Sequence, residues 1–394
     1  MKSHLLAAAL VGLPVTLAAQ GEARSKFEVY GYAMLDAGYN FDQSDPAWFD
    51  VVRPSKLPAF ENQFAPDGTT FFSVRQSRLG VRSAVPTDLG DLKTVFEFEL
   101  FGTGVDAGQT TFRLRHIYGE LGRFGAGQTW SPFSDSDVLP NVLDHWGPSG
   151  IVSFRNAQVR WMPIQGDTRL TIALERPGAS ADEGVVADRI ELDDVRGRFP
   201  VPDLSAEYRH AATWGYVEVA GIVRYIKWED QGADAFDLSG DATGWGVNLS
   251  SNLKLGGQNL ARLQVVYGEG IENNMGDAPA DIGIEANPGN PTAPIRGVAL
   301  PVLGVVAFVE HKWNEKFASS VGYSLVEIDN SELQAPDAFG RGQYALGNVR
   351  YSPVPGVMTG VELQWGDREN FSDGFSSSVV RIQFSAKYNF SRTW

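Results

Sequence analysis

Apolar and polar side chains alternate along most of this chain, and the segment 379–390 shows the alternation most clearly. One set of alternate positions there is Val380, Ile382, Phe384, Ala386, Tyr388 and Phe390, and the residues between them are mostly polar. A period of two places the two sets on opposite faces of a β-strand. Helical spacing is not sustained anywhere after the first 23 residues. The pattern therefore predicts a chain that is nearly all β.

Glycine, proline and polar clusters divide this pattern into sixteen predicted strands. They cover residues 27–39, 71–83, 91–102, 110–121, 123–130, 150–162, 168–176, 203–210, 215–228, 242–255, 260–269, 302–312, 317–328, 342–352, 357–366 and 376–390. Short turns alternate with eight long connections, at 41–70, 103–109, 131–149, 177–202, 229–241, 270–301, 329–341 and 367–375. This alternation is typical of outer-membrane barrels. The predicted fold is all-β: a 16-stranded antiparallel transmembrane β-barrel.

Aromatic residues cluster at the predicted strand ends. Those at short turns are Trp161, Trp214, Trp313 and Phe317, and those at long loops are Tyr39, Trp130, Trp228 and Trp245. Two aromatic girdles are expected at the two lipid–water boundaries of a membrane barrel. Aromatic residues also favour strands of any kind, so their placement supports the barrel without requiring it.

The first residues are typical of an export signal. Met1 and Lys2 supply a positive start, 5–17 is an apolar run too short to span a bilayer as a helix, and small residues follow. We expect a signal peptide over 1–23, with an uncertain cleavage position, and a barrel over 24–394. The expected location is the cell outer membrane of a Gram-negative bacterium.

Composition and charge exclude several other classes of protein. The chain has 48 acidic residues against 33 Lys and Arg, a net charge of −15, and no cysteine. Nucleic-acid binding needs a basic face, and disulfide scaffolds and thiolate metal sites need cysteine. None of the five histidines lies in a nucleophile–base motif or at a metal-ligand spacing. We therefore expect no enzyme activity, no cofactor, no metal site and no nucleic-acid partner.

Charge is also sorted along the chain, because each long connection is net negative and the rest of the chain is net positive. A charge on the lipid face costs about 2–4 kcal/mol at mid-depth, so strand arginines should face the lumen. The candidates for a pore constriction are Arg78, Arg113, Arg115 and Arg160, with Arg75, Arg82 and Arg155. In their predicted strands, Arg75 and Arg155 occupy alternate positions that would face outwards. Either a bulge shifts the register there, or the two residues lie near the rim. A wall of arginines would select anions. The alternative is a set of lumen charges neutralised by Glu97, Glu99 and Glu120.

The third long connection contains apolar residues that are unsuited to a solvated loop. We expect it to fold into the barrel and to pack Val138, Leu139 and Leu143 against the inner wall. Three acidic residues, Asp135, Asp137 and Asp144, would then face the arginines. The alternative is that this loop covers an interface.

Several segments resemble the DcaP-like trimeric porins. They are 72–80 (FSVRQSRLG), 96–102 (FEFELFG), 113–116 (RLRH), 125–131 (GAGQTWS), 146–148 (WGP) and 154–156 (FRN). The resemblance covers essentially the whole mature chain, and 53–177 is its most specific part. It implies a sixteen-stranded homotrimeric channel, with an arginine-lined constriction, for the diffusion of small anions, notably dicarboxylates. Some members of the family carry a coiled-coil segment before the barrel. We expect none here, because only residues 24–26 separate the predicted cleavage site from the first strand.

The expected partners are small anionic solutes, outer-membrane lipid and lipopolysaccharide, and the barrel-insertion machinery, since Trp394 resembles the aromatic end of an insertion signal. Two other functions remain open. The barrel could be a general or phosphate-selective porin, or the chain could be a soluble secreted β-protein that binds glycans.

Overall fold

The computed structural model of the protein describes residues 25–394. The predicted signal peptide, 1–23, lies outside the described residues. The strands are β1 (Lys26–Asn40), β2 (Thr69–Ser73), β3 (Arg78–Thr87), β4 (Gly90–Phe101), β5 (Thr110–Leu121), β6 (Phe124–Trp130), β7 (Arg155–Ile164), β8 (Thr168–Glu175), β9 (Val195–Arg198), β10 (Asp203–Ala212), β11 (Gly215–Asp230), β12 (Gly240–Lys254), β13 (Asn259–Glu269), β14 (Ile282–Ala286), β15 (Ile295–Ala299), β16 (Pro301–Lys312), β17 (Phe317–Ile328), β18 (Phe339–Tyr351), β19 (Val357–Asn370) and β20 (Ser376–Thr393). Within the same residues, single turns of 3-10 helix lie at Pro46–Trp48, Pro54–Lys56, Gly104–Asp106, Ser136–Val138, Gly184–Val186, Ile190–Leu192 and Glu272–Asn274.

One sheet of 18 strands closes on itself where β1 pairs with β20. β2 and β3 pair with the two halves of β1 and form one interrupted wall strand. β9 is a short strand of an outer loop that pairs with the end of β11. The barrel wall therefore has sixteen antiparallel strands, which confirms the predicted fold. The sequence did not predict β9 or the separate hairpin of β14 and β15 in the sixth long loop.

The two faces of the wall differ as the alternation predicted. On β20, Val380, Ile382 and Phe384 are 37–46% exposed on the outside of the barrel. Arg381 and Gln383, between them, have no exposed surface and point inwards. An apolar face towards lipid and a polar face towards the lumen are required of a membrane barrel.

The aromatic girdles are only partly as expected. Six of the eight predicted aromatic residues are exposed on the outer surface: Trp161, Trp214, Trp313, Phe317, Tyr39 and Trp245. Trp130 instead lies on the inner side, with its ring 6.1 Å from that of His116. Trp228 packs under the outer loops and donates a hydrogen bond to the Leu238 carbonyl oxygen over 2.9 Å. Their prediction as girdle residues was wrong, because one ring packs inside the barrel and the other packs under the outer loops.

The third long loop lies inside the barrel. Val138 and Leu143 are fully buried. Val138 and Leu139 pack in one apolar cluster with Val306 and Phe308 on the inner face of β16. Leu143 lies beside Gly360 on β19. The loop backbone touches the wall closely, since a Cβ on Gly304 would lie 2.4 Å from the carbonyl oxygen of Gly150. The inward-folded third loop and its apolar contacts are confirmed.

Three loops meet at one arginine inside the barrel. The Arg53 guanidinium, in the first long loop, lies 4.1 Å from the ring centre of Trp48 and 4.3 Å from that of Trp146 in the third. It also forms a 2.9 Å ion pair with the buried carboxylate of Asp277 in the sixth. Trp146 Nε1 donates a 2.6 Å hydrogen bond to the Gly276 carbonyl oxygen. We call Arg53, Trp48, Trp146 and Asp277 the Arg53 clasp.

Candidate functional site

Three of the predicted arginines, on β3 and β5, surround two glutamates on β4, the strand between them. Arg115 Nε lies 2.7 Å from Glu97, and Arg115 Nη1 lies 2.7 Å from Glu99. Arg113 Nε donates to Glu99 over 2.8 Å, and Arg78 Nη2 lies 3.2 Å from Glu99. The strand register explains these contacts, because Glu99 is directly opposite Arg78 on one side and Arg113 on the other. We call these five residues the arginine cluster. Its three arginines and two glutamates leave a net charge of one positive unit.

A β-bulge brings an extra basic side chain into this wall. The register of β4 and β5 shifts so that Glu97 lies opposite His116 whereas Phe98 lies opposite Leu114. Arg115 is the extra residue, and both Arg115 and His116 project into the barrel. Bulges re-aim side chains in this way and are frequent at functional sites. Simple alternation identified the inward face of Arg113 and Arg115 but not that of His116.

Two further predicted arginines flank Trp130 on the next strands. The Arg155 guanidinium lies 4.6 Å from the centre of the Trp130 ring. Arg160 Nη2 donates to the Trp130 carbonyl oxygen over 2.6 Å, and Arg160 Nε donates to the Gln158 side chain over 3.1 Å. Among residues 25–394, no carboxylate oxygen lies within 4.0 Å of a guanidinium nitrogen of either arginine. Within the described residues, neither cation is therefore neutralised by an ion pair.

The other two predicted arginines lie outside the cluster. Arg75, in the break between β2 and β3, is 1% exposed, pairs with Asp50 over 2.6 Å and lies 3.9 Å from the Phe101 ring centre. It fastens the first loop to the wall, so its predicted place in the constriction was wrong. Arg75 departs from the in–out alternation of the predicted strand because the strand is interrupted at this point. Arg82 lies nearer the short-turn end, where it pairs with Glu28 over 3.2 Å.

The three loop acids do not face the arginine cluster, which corrects that expectation. Asp135 and Asp137 each lie 2.5 Å from Arg209 on β10, and Asp135 also accepts hydrogen bonds from Tyr216 over 2.5 Å and Ser250 over 2.6 Å. These acids therefore anchor the third loop to the opposite wall. The alternation in β10 would have placed Arg209 on the inner face, but no local signal pairs it with a distant loop.

Asp144 also anchors the third loop rather than facing an arginine. Its Oδ2 accepts hydrogen bonds from the Val52 amide over 3.2 Å and from the Tyr344 hydroxyl over 3.0 Å. Burial raises the pKa of Asp144 to about 6. The side chain therefore links the third loop to the first loop and to β18.

One residue of the third loop does reach the arginine cluster. His145 Nε2 lies 3.5 Å from a Glu99 oxygen and 3.3 Å from Arg113 Nη2, and its ring stacks on Phe101 with 4.2 Å between ring centres. Burial lowers the pKa of His145 to about 4, so the imidazole is neutral at pH 7. The sequence alone does not single out this histidine, because its contacts depend on the course of the loop.

Two cavities lie beside the predicted arginines. A cavity of 840 Å³ towards the short-turn end is lined by residues that include Tyr30, Arg82, Glu97, His116 and Tyr118. A second cavity, of 330 Å³, lies towards the long loops and is lined by residues that include Arg155, Arg176, Arg224 and Asn273. Glu97 of the arginine cluster therefore borders the first cavity, and Arg155 borders the second.

In residues 25–394 no group of three or more His, Cys, Asp and Glu side chains is arranged to hold a metal ion. No helix in that part of the chain is long and apolar enough to cross a membrane.

A closed sixteen-stranded wall, an apolar outer face and an inward-folded loop define an outer-membrane barrel of the porin type. The chain belongs to the DcaP outer membrane protein family, whose model matches residues 16–259. The protein is therefore an outer-membrane protein of a Gram-negative bacterium.

Solved structures share this fold. The outer membrane channel DcaP of Acinetobacter baumannii matches with a TM-score of 0.76 and 22% identity, over 94% of this chain and 99% of that one. The anion-selective porin from Comamonas acidovorans has a TM-score of 0.58 and 11% identity, over 93% and 100%. A trimer form of OmpT of Vibrio cholerae has a TM-score of 0.55 and 12% identity, over 93% and 99%. No curated protein sequence matches the chain.

Proposed function

We propose that this protein is a channel for the passive diffusion of small anionic solutes, dicarboxylates in particular, across the outer membrane. The observation that carries the proposal is the excess of positive charge on one wall of the lumen. The arginine cluster has a net positive charge, and Arg155 and Arg160 add two cations with no carboxylate within 4.0 Å among residues 25–394. Guanidinium is charged at every physiological pH and binds carboxylates through paired hydrogen bonds.

The net charge of −15 does not oppose this proposal. Much of the negative charge lies in the long loops, and the Debye length at physiological salt is about 8 Å. That distance is short compared with a barrel built around an apolar band about 25 Å tall. Charges at the wall of the lumen therefore dominate the field that a permeating ion meets.

A dicarboxylate suits the wall because the positive charge lies in two neighbouring places. The arginine cluster occupies β3 to β5, and Arg155 and Arg160 lie on β7. One carboxylate can contact the cluster while the other contacts β7. The Comamonas acidovorans porin, described as anion-selective, has the same fold.

Removal of the two cations on β7 tests this function. The Arg155→Gln, Arg160→Gln double variant should lower chloride and succinate permeability relative to potassium about two- to five-fold, because two lumen charges are lost. Reversal potentials in planar bilayers across a salt gradient measure the ratio. The control is the Arg189→Gln, Arg198→Gln variant, which removes two charges from the fourth long loop. Equal ratios in the parent and the β7 variant would favour a general porin, and phosphate permeability above that of succinate would favour a phosphate-selective one.

We also propose a homotrimer in contact with outer-membrane lipid and lipopolysaccharide, delivered by the barrel-insertion machinery. Gly31, Ala33 and Ala37 give the outer face of β1 small side chains, which permit close approach of a second wall. OmpT of Vibrio cholerae, with the same fold, has a trimer form.

Native mass spectrometry in detergent tests the trimer. Ala33→Trp should reduce the trimer fraction, because its side chain is exposed on the proposed interface. Val219→Trp is the control, since Val219 is 46% exposed on β11, across the barrel from β1. Gly31 is unsuitable for this test, because a Cβ there would lie 2.2 Å from the Arg78 carbonyl oxygen. A monomeric parent protein, or equal effects of the two variants, would contradict the proposed interface.

A further inference from the structure

We infer that Glu97 sets the strength of anion selectivity, as a built-in carboxylate that competes with the solute for the arginines. The inference rests on the proposed function, since it concerns how the same wall treats anions. Glu97 is negatively charged, whereas the residues expected to bind the solute are positively charged arginines.

The two glutamates of the arginine cluster differ in their access to the lumen. Glu99 has no exposed surface and contacts Arg78, Arg113 and Arg115 together with His145. It is enclosed by its partners and holds the cluster together. Glu97 instead lines the 840 Å³ cavity, and 9% of its side chain is exposed.

Glu97 is also held by fewer charged partners than Glu99. Its Oε1 accepts a 2.7 Å hydrogen bond from Arg115 Nε, its Oε2 accepts one from the Tyr30 hydroxyl over 2.8 Å, and Arg78 Nη1 lies 3.5 Å away. Both arginines are shared with Glu99. Of the arginine cluster, only Glu97 lines the cavity. A solute carboxylate that enters the cavity therefore meets Glu97 first, and the arginines behind it already have a carboxylate ligand.

Competition between Glu97 and the solute would speed the release of the solute from the channel. Conduction requires binding that is favourable enough for entry and weak enough for release. Three arginines without a counter-ion would hold a dianion tightly, and a fixed carboxylate at the border of the cavity lowers that affinity. Glu97 is thus a specificity-determining residue, whereas Glu99 is a positioning residue.

The test is the Glu97→Gln variant, which keeps the shape of the side chain and raises the charge of the cluster from one to two positive units. The expected result is an anion-to-cation permeability ratio about two-fold above that of the parent, with longer succinate-induced interruptions of the current. Reversal potentials and single-channel recordings measure these quantities. Glu120→Gln is the matched control, because Glu120 lines the same cavity but pairs with Lys93 near the short turns.

A charge-restoring variant keeps the test independent of folding. Arg78→Gln should lower the ratio, and the Arg78→Gln, Glu97→Gln double variant should return it to the parent value, because the cluster is again at one positive unit. The permeability ratios of Arg78→Gln and of the double variant can be compared even if Glu97→Gln alone does not insert into the membrane. A ratio for Glu97→Gln at or below that of the parent, or equal effects of Glu97→Gln and Glu120→Gln, would overturn the inference. The proposed function is judged separately, on the ratio of the parent protein itself.

Discussion

The Arg113→Gln, Arg115→Gln double variant should remove most of the channel's preference for anions. The parent cluster has one net positive charge, and the variant leaves Arg78 alone with Glu97 and Glu99, which is one net negative charge. With Arg155 and Arg160, the wall keeps one net positive charge. Reversal potentials across a potassium chloride gradient should therefore move close to the value of a non-selective channel. No other variant proposed for this wall inverts the charge of the cluster.

The same variant should still form the barrel, because neither arginine lies on the lipid face. Breaking buried ion pairs costs about 3–5 kcal/mol, so we expect a lower unfolding temperature without loss of insertion. The Arg155→Gln, Arg160→Gln variant is the comparison, since it removes the same number of charges but leaves the cluster intact. An unchanged reversal potential in the Arg113, Arg115 variant would show that the arginine cluster has a structural role only.

Arg53→Ala should loosen the loops inside the barrel and lower the stability of the protein. The guanidinium packs between Trp48 and Trp146 and pairs with Asp277, whose side chain has no exposed surface. Its removal leaves a buried carboxylate without its cation, at a cost of about 3–5 kcal/mol. Single-channel recordings should show a larger and noisier conductance, and thermal unfolding should shift to lower temperature.

Two variants separate the parts of the Arg53 clasp. Arg53→Lys keeps the charge but loses the planar stacking on the two rings, so its effect should be intermediate. Arg189→Ala breaks an ion pair with Glu191 in an outer loop, so it should change neither measurement. Parent-like conductance and stability in Arg53→Ala would show that the three loops hold their positions without the Arg53 clasp.

The architecture of this protein was predictable because its signal is local. Alternation with a period of two depends only on adjacent residues, so it located each of the sixteen wall strands and the inner face of Arg78, Arg113, Arg115 and Arg160. The apolar content of the third long loop likewise predicted that it folds inwards. Predictions failed where the ladder is interrupted, as at Arg75 between β2 and β3, and where a ring packs inside the barrel or under the loops, as at Trp130 and Trp228.

The sequence by itself therefore determined the barrel, the direction of its faces and the presence of arginines in its lumen. Only the tertiary structure decided the partners of those side chains: Glu97 and Glu99 for the arginine cluster, and Arg209 for Asp135 and Asp137. The physical reason is the range of the interactions. A side chain's face is set by its own strand, whereas its ion-pair partner depends on strand register, a bulge and the course of a loop across the barrel.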